Sequence, residues 1–390
     1  MKKNLIKADL LKTSSTSLFK RTIEPEGVQP APYNNEQLAE IYSYNGYHSK
    51  CINLKSMLTS GLGYEVFSVI NHIDEINKLN KFINEHYSNT GLSLVELLYR
   101  FQTDYEIFGN AYLEVVRNSV GEVSALFHLP AKDMRIAVKN NKQYAVQIIN
   151  GSEICFSEFG KREGGMNEFI SIKNYNPLSR FYGQPEYMGA LSSIVLDRYS
   201  VEFNINKFNN NAVPESIIFI KGGILGKDAK MKIKDFFTNN FKGLENRGRS
   251  LILETEDEKS TIEVKAVSQP VNEASYNVLR ENCRDEIIAA HGIPRRMLGM
   301  SDGGSLGGYN ETRNQLKIFQ ECVITPRQKK LEYILNDLII KKGLDLHSVE
   351  IKLNQLYVEN PEADAKFYEI MIKAGILTTD EARKELGYSV

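Results

Sequence analysis

Several stretches of this chain carry residue types that could do chemistry, and each can be tested by its spacing. Lys221-Gly222-Gly223-Ile224-Leu225-Gly226-Lys227-Asp228 has the glycine and lysine content of a phosphate loop. Only three residues separate the bracketing glycines, where four are required, and Asp228 stands where a Ser or Thr would hold magnesium. An Asp there repels phosphate, so a strand-to-helix turn accounts for the glycines. Gly303–Gly308 lacks the G-x-G-x-x-G order and a preceding strand; its glycines serve backbone freedom instead. Glu254, Glu256, Asp257 and Glu258 could be imagined as a nuclease metal cluster. They sit between two predicted strands and run into Lys259-Ser260, which reads as a solvated hairpin tip. The six histidines (His48, His72, His86, His128, His291, His347) contain no i,i+4 pair and no H-E-x-x-H, so no zinc set forms locally. G-x-S-x-G is absent. The sequence therefore assigns no catalytic residue, no metal site and no cofactor. Arg295-Arg296 stays open between satisfying a helix end and contacting phosphates that pass nearby.

The elements around these residues look mechanical rather than catalytic. A charged amphipathic run, Val271–Ala290, ends at His291-Gly292-Ile293-Pro294. The glycine-rich stretch Gly299–Gly308 follows, and a second long helical pattern, Glu311–Ile340, begins beyond it with Pro326 expected to kink or restart it. Upstream, Tyr187, Leu191, Ile194, Val201, Ile205 and Phe208 recur at four- and three-residue steps, interrupted by Arg198. That is a narrow apolar seam on a helix, Pro185–Asn211, roughly 35–40 Å long. Such a seam suits helix-to-helix packing, including packing between subunits. Between the two long helices, Ser216–Ile220, Ser250–Glu254 and Thr261–Val267 read as strands around a Lys-rich helix, Asp228–Phe241.

The first half reads as α+β. Helices are predicted near residues 35–42, at Ser49–Leu58, Asp74–Tyr87 and Ser93–Phe108. A small antiparallel sheet is expected from Ala111–Arg117, Glu122–His128, Met134–Lys139, Tyr144–Ile149, Glu153–Phe156 and Glu168–Lys173, with Asn140-Asn141 as turn residues. Residues 1–34, rich in Ser, Thr and Pro, read as a loose arm. Pro361–Leu386 gives one or two short acidic helices interrupted at Gly375.

Bulk numbers exclude several function classes. With 390 residues, two to four packed units are expected. Lys and Arg number 48 against 49 Asp and Glu, so no global basic charge attracts nucleic acid. The charge is uneven: residues 1–21 carry six Lys/Arg and one Asp, whereas residues 343–390 carry five Lys/Arg and nine acids. The four cysteines (Cys51, Cys155, Cys283, Cys322) form no C-x-x-C and read as reduced thiols. No apolar run approaches the roughly 20 residues that span a bilayer, and nothing resembles a signal peptide. A soluble, intracellularly made protein is expected.

Short stretches spread from about residue 35 to 388 resemble, in order, the portal proteins of tailed bacteriophages, nearest their PBSX-like branch. They are Asn45-Gly46-Tyr47-His48-Ser49-Lys50 with Ile52-Asn53-Leu54-Lys55; Phe108-Gly109-Asn110-Ala111-Tyr112-Leu113-Glu114 followed by Leu129-Pro130; and Gly183-Gln184-Pro185 leading to Phe208–Pro214. Ile287-Ile288-Ala289 with Gly292-Ile293-Pro294 and Met297-Leu298-Gly299 come next, then Gly375-Ile376-Leu377-Thr378 with Glu381-Ala382-Arg383 and Leu386-Gly387.

The resemblance implies a portal fold. Its parts would be a flexible arm (1–34), an α+β wing (35–184), a stem helix (185–211), a small α/β clip (212–269), a second stem helix (270–291), a tunnel loop (292–309), a wing helix (310–342) and a C-terminal helical region (343–390) that is a reduced crown. It further implies a non-enzymatic ring, typically of twelve subunits, at one capsid vertex. Double-stranded DNA would be packaged and ejected through its channel. Implied partners are the terminase large subunit, the major capsid protein or scaffold, and a head–tail adaptor, with no membrane. The expected location is the virion, with the host cytoplasm during assembly. Met300, Ser301, Asp302, Gly303, Gly304, Ser305 and Leu306 would face DNA, and Arg295 and Arg296 are candidate phosphate contacts. Leu191, Ile194, Val201, Ile205 and Phe208 would pack subunits in the stem. The rival reading is a metal-dependent nuclease or nucleotide-using packaging component, which needs the loop or carboxylate cluster rejected above.

Overall fold

The computed structural model describes residues 27–68, 72–210, 216–221, 261–266, 273–300, 309–356 and 361–385, with positions 228 and 231. In chain order the elements are α1 (Asn35–Tyr44), α2 (Gly46–Ser56), β1 (Tyr64–Ser68), α3 (Ile73–Thr90), α4 (Leu94–Phe108), β2 (Asn110–Arg117), β3 (Val123–Leu129), β4 (Met134–Lys139), β5 (Lys142–Ile149), β6 (Ser152–Glu158) and β7 (Glu168–Lys173). Then follow α5 (Leu191–Asn210), β8 (Ser216–Lys221), β9 (Thr261–Ala266), α6 (Glu273–His291), α7 (Tyr309–Phe319), α8 (Thr325–Tyr333), β10 (Val349–Leu353), α9 (Pro361–Lys373) and α10 (Thr379–Glu385). The fold is α+β, as the sequence predicts.

The chain divides into two compact units. One holds Tyr33–Cys51 and Gln184–His291; the other holds Ile52–Gly183 and Gly292–Val390. In the second unit, six strands form one sheet in the order β3-β2-β7-β6-β5-β4. Asn140 and Asn141 both adopt positive φ (50° and 60°), the backbone that a two-residue hairpin between β4 and β5 requires. The sheet is mixed rather than purely antiparallel, because β6 and β7 pair in parallel at Ser157–Glu168 and Glu158–Phe169. Its β4 edge is closed by hydrogen bonds from Gln29 N to Ile136 O (2.7 Å) and from Val138 N to Gly27 O (3.0 Å).

Helix α4 lies on this sheet because Leu94, Leu97, Leu98, Phe101 and Tyr105 recur at helical spacing and bury against Leu113, Val115 and Ile170. Ser93 caps its start, accepting from Glu96 N at 3.1 Å, and Gly109 (φ 70°) ends it in the left-handed conformation. The same core takes Leu331, Ile334, Leu335 and Ile339 from the long helical segment after residue 309. That segment widens into π-helical turns at Gln320–Ile324 and Ile334–Gly343. The restart expected at Pro326 occurs there, with the proline in the first turn of α8.

Two buried polar devices hold this unit together. Gln328, Glu332 and Asn336, four residues apart, present one row of side chains to β10. Asn336 both donates to Ile351 O (2.9 Å) and accepts from Ile351 N (2.8 Å). Glu332 accepts from Leu353 N (3.0 Å), and Gln328 donates to Asn354 O (2.8 Å). A helix thereby does for one edge of β10 what β1 does for the other. Glu106 on α4 meets Lys55 Nζ (2.5 Å) and Arg327 Nε (2.6 Å), all three side chains buried, and accepts from Gln102 Nε2 (2.7 Å). Burial alone would raise the Glu106 carboxyl, but the Lys55 and Arg327 charges bring it down to about 2.

Candidate functional site

The sequence-predicted stem helices are α5 and α6, and they form an antiparallel pair within the first unit. Their register is fixed by polar rungs rather than by apolar contact alone. Tyr276 Oη donates to Ser200 O (2.8 Å), Arg280 Nε pairs with Asp197 Oδ1 (3.0 Å), and Ser193 Oγ donates to the Glu286 carboxylate. As residue numbers fall along α5 they rise along α6. Burial tends to lower the Arg280 pKa, yet the Asp197 hydrogen bond and charge hold it above its ordinary value. Around the rungs, Leu191, Ile194, Cys283, Ile287 and Ile288 are buried.

A third helix locks the pair. Asn45 caps α2 by accepting from His48 N (2.9 Å), while its Nδ2 donates to Asp197 Oδ2 (3.0 Å) and Ile194 O (3.3 Å). One turn on, His48 Nδ1 lies 3.0 Å from His291 Nε2, both rings buried. Tyr187 packs edge-on to His48 at 4.2 Å and stacks on His291 at 5.7 Å; its burial pushes the phenol far above its usual range. His291, the last residue of α6, thus ends the helix against another imidazole. Reading the chain for local pairs could not find this cluster, because its members lie 48, 187 and 291 residues along. The usable signal was the Asn45-Gly46-Tyr47-His48 motif, whose Asn and His both prove to be packed polar residues.

After His291, Gly292 takes a positive φ (65°), and Pro294 starts a short 3-10 turn, Arg295–Leu298. Gly299 (φ 77°) closes it by donating to the carbonyls of Arg295 and Arg296. Both arginines are half-buried, and Arg296 Nη1 donates to Thr312 Oγ1 at the start of α7. Met300 is half-buried at the end of this turn. Ser301, Asp302, Gly303, Gly304, Ser305 and Leu306 lie outside the described residues, as do Glu254–Glu258 and Gly222–Lys227 of the rejected motifs.

The predicted seam residues separate by environment. Leu191 and Ile194 are covered within their own unit, Val201 is half-buried, and Ile205 is 49% exposed. The Phe208 side chain is outside the described residues. Rotated away from the α6-facing residues, Leu196 (43% exposed) and Phe203 (51%) leave a second apolar stripe facing out. Among the described residues no three His, Cys, Asp or Glu side chains gather as a metal set, and no helix is long and apolar enough to cross a membrane. Between α5 and α6, β8 and β9 pair antiparallel from Ser216–Ala266 to Lys221–Thr261.

An antiparallel helix pair in one unit and a mixed six-stranded sheet in the other fit the α+β fold expected of a phage connector subunit. The sequence profile described as phage portal protein matches residues 49–387, and the chain belongs to that family. Among its relatives, an uncharacterized protein, YqbA, of Bacillus subtilis (strain 168) is 23% identical over 99% of this chain and 88% of its own length. The phage-like element PBSX protein XkdE of the same organism is 23% identical, covering 93% and 84% respectively, which supports the PBSX-like branch. The fold is also similar to a solved chain from the neck of an empty GTA particle. That match has a TM-score of 0.65 at 17% identity over 93% of this chain and 95% of that one.

Proposed function

We propose that this portal-family chain assembles into a ring, of twelve subunits as in the family pattern, at one vertex of a phage capsid. Double-stranded DNA enters and leaves through its channel. The ring is a non-enzymatic conduit that docks the terminase large subunit during packaging and a head–tail adaptor afterwards, and it is seated in the major capsid protein or scaffold. It assembles in the host cytoplasm and ends in the virion.

The observation that carries this reading is the α5–α6 hairpin held by internal polar rungs, ending at Gly292 and the turn to Gly299. A helix pair followed in sequence by the glycine-rich stretch Gly299–Gly308 suits a channel lining. Charge agrees. Residues 185–211 and 270–291 together carry seven acids and four Lys/Arg. A neutral or acidic lining cannot grip a polyanion through counterion release, so DNA can slide. Residues 212–269 serve as the clip facing terminase and adaptor, and Met300–Leu306 lie nearest DNA, with Arg295 and Arg296 as the phosphate contacts beside them.

Native mass spectrometry of the purified assembly tests this. A species near twelve times the 44.3 kDa chain mass supports the ring. A stable dimer that cleaves DNA would overturn it.

A further inference from the structure

Two imidazoles face each other inside the first unit, and neither has a part in the channel reading above. His48 Nδ1 lies 3.0 Å from His291 Nε2, with the two residues 0% and 1% exposed. At that distance one proton sits between the nitrogens, whichever ring supplies it. The contact joins α2 to the last residue of α6, and Tyr187 packs against both rings. The next residue, Gly292, already has a positive φ, so the pair stands where the helix ends.

We propose that the His48–His291 pair is an acid-sensitive latch, which holds the end of α6 on α2 at neutral pH and releases it in mild acid. Two neutral rings share one N–H between them. A first added proton goes to an outward nitrogen and leaves that bond intact. A second would set N–H against N–H, so the folded pair holds at most one proton beyond neutrality. Released rings, with an ordinary value near 6.5, hold two. The latch is therefore fully made above about 6.5 and weakens as pH falls. Each pH unit below that value favours release by at least about tenfold, and by about a hundredfold where burial excludes the first proton as well.

The charged groups on the elements around the pair have positions or partners of their own. On α5, Asp197 binds Arg280 and Asn45. On α6, Glu286 binds Ser193, and Arg284 pairs with Asp285. Lys50 on α2 and Glu186 beside Tyr187 are exposed, and Lys55 is bound to Glu106. Burial holds the Tyr187 phenol in its neutral form and pushes the Cys283 thiol up; Cys51 is buried on α2. Histidine is the side chain that ordinarily changes charge between about pH 5 and 8, so mild acid acts on the imidazoles.

The test uses the purified full chain in whatever assembly it forms. Amide hydrogen exchange is read by mass spectrometry near pH 7.5 and near 5.5, and expressed as protection factors so that the intrinsic effect of pH cancels. Peptides covering residues 286–294 and 46–52 should lose protection by at least about tenfold at the lower pH and regain it on return. His48→Gln keeps a hydrogen bond to His291 in both states, because an amide donates to the neutral ring and accepts from the protonated one. It removes one titrating ring, so its loss of protection should be about tenfold smaller than that of the wild type. Equal losses in the two proteins, or wild-type protection unchanged near pH 5.5, overturn the latch. Should the variant not fold, deuterium exchange at the imidazole C2 positions of the wild type follows each ring's titration. The two rings together should take up no more than one proton above about pH 5, and two independent midpoints near 6.5 would overturn the proposal.

Discussion

Replacing Glu106 by glutamine should be among the most damaging single changes in the second unit, although glutamine matches it in shape. The carboxylate neutralises two buried cations, Lys55 at 2.5 Å and Arg327 at 2.6 Å. A carboxyl held at about 2 instead of the ordinary 4.5 corresponds to about 3 kcal/mol in favour of the ionised form. Removing one partner from a buried ion group independently suggests about 3–5 kcal/mol, since the stranded charges stay desolvated. With a urea slope of about 3 kcal/mol per M for a unit of this size, the midpoint should fall by about 1 M. Urea titration followed by circular dichroism measures that shift.

The linkage also has a sign. Because the folded carboxyl is depressed, its stabilisation is complete above the unfolded value near 4.5 and is lost as pH falls toward 2. Wild type should therefore weaken across that acid window, while Glu106→Gln should lose less stability there. The companion variant Lys55→Met/Glu106→Leu/Arg327→Met removes all three charges and should recover most of the lost midpoint. A Glu106→Gln midpoint within about 0.2 M of wild type would refute the assignment of an energetic role to this cluster.

Three further outcomes follow from other contacts. Asn336→Leu strips both hydrogen bonds from Ile351 and should cost about 2–4 kcal/mol, with amide exchange at Ile351 faster by tenfold or more; unchanged protection would show that β10 does not depend on the helix. Gly183→Ala should yield little soluble protein in a small-scale expression trial, because a Cβ there would meet the Gly109 carbonyl and the Asn174 backbone, which cannot move aside cheaply. Leucine at both Gly303 and Gly304 should leave rings that assemble yet package or retain DNA poorly in a packaging assay, and unchanged packaging would remove the tunnel-loop assignment.

Local grammar carried most of the fold. Ser93 and Gly109 bracket α4, the Asn140-Asn141 pair makes a hairpin, and β2 to β7 fall on the stretches that read as strands in the sequence. What failed to show was pairing between distant segments. β1 and β10 are five-residue strands nearly 300 residues apart, and nothing local in Tyr64–Ser68 names Val349–Leu353 as its partner. The parallel β6–β7 step was equally invisible, since a hairpin-like spacing gives no hint of strand direction. The Gly183-Gln184-Pro185 motif could be matched as a likeness, but its physical cause, a close backbone approach at Gly183, appears only once Gly109 and Asn174 are in place.

The α5 helix shows why an apolar repeat identifies a buried face without saying who buries it. Leu191, Ile194, Val201 and Ile205 form a regular row in the sequence, and regularity over several turns looks like a contact between subunits. The structure covers Leu191 and Ile194 inside the chain and leaves Ile205 half in solvent. The reason lies in residues that the hydrophobic pattern skips. Asp197 stands next to the Arg198 that interrupts the seam; it is buried, bound by Arg280 and Asn45, and it sets which side of α5 faces α6. A buried carboxylate paired at the edge of solvent adds little net stability but penalises any other register, because a slip strands it desolvated. Polar residues thus choose the internal face, and Leu196 and Phe203, about a third of a turn away, stay exposed among the described residues. In a helix with apolar residues on two sides, the buried charged residue that finds its partners within the chain is therefore the better guide to which face is spent there.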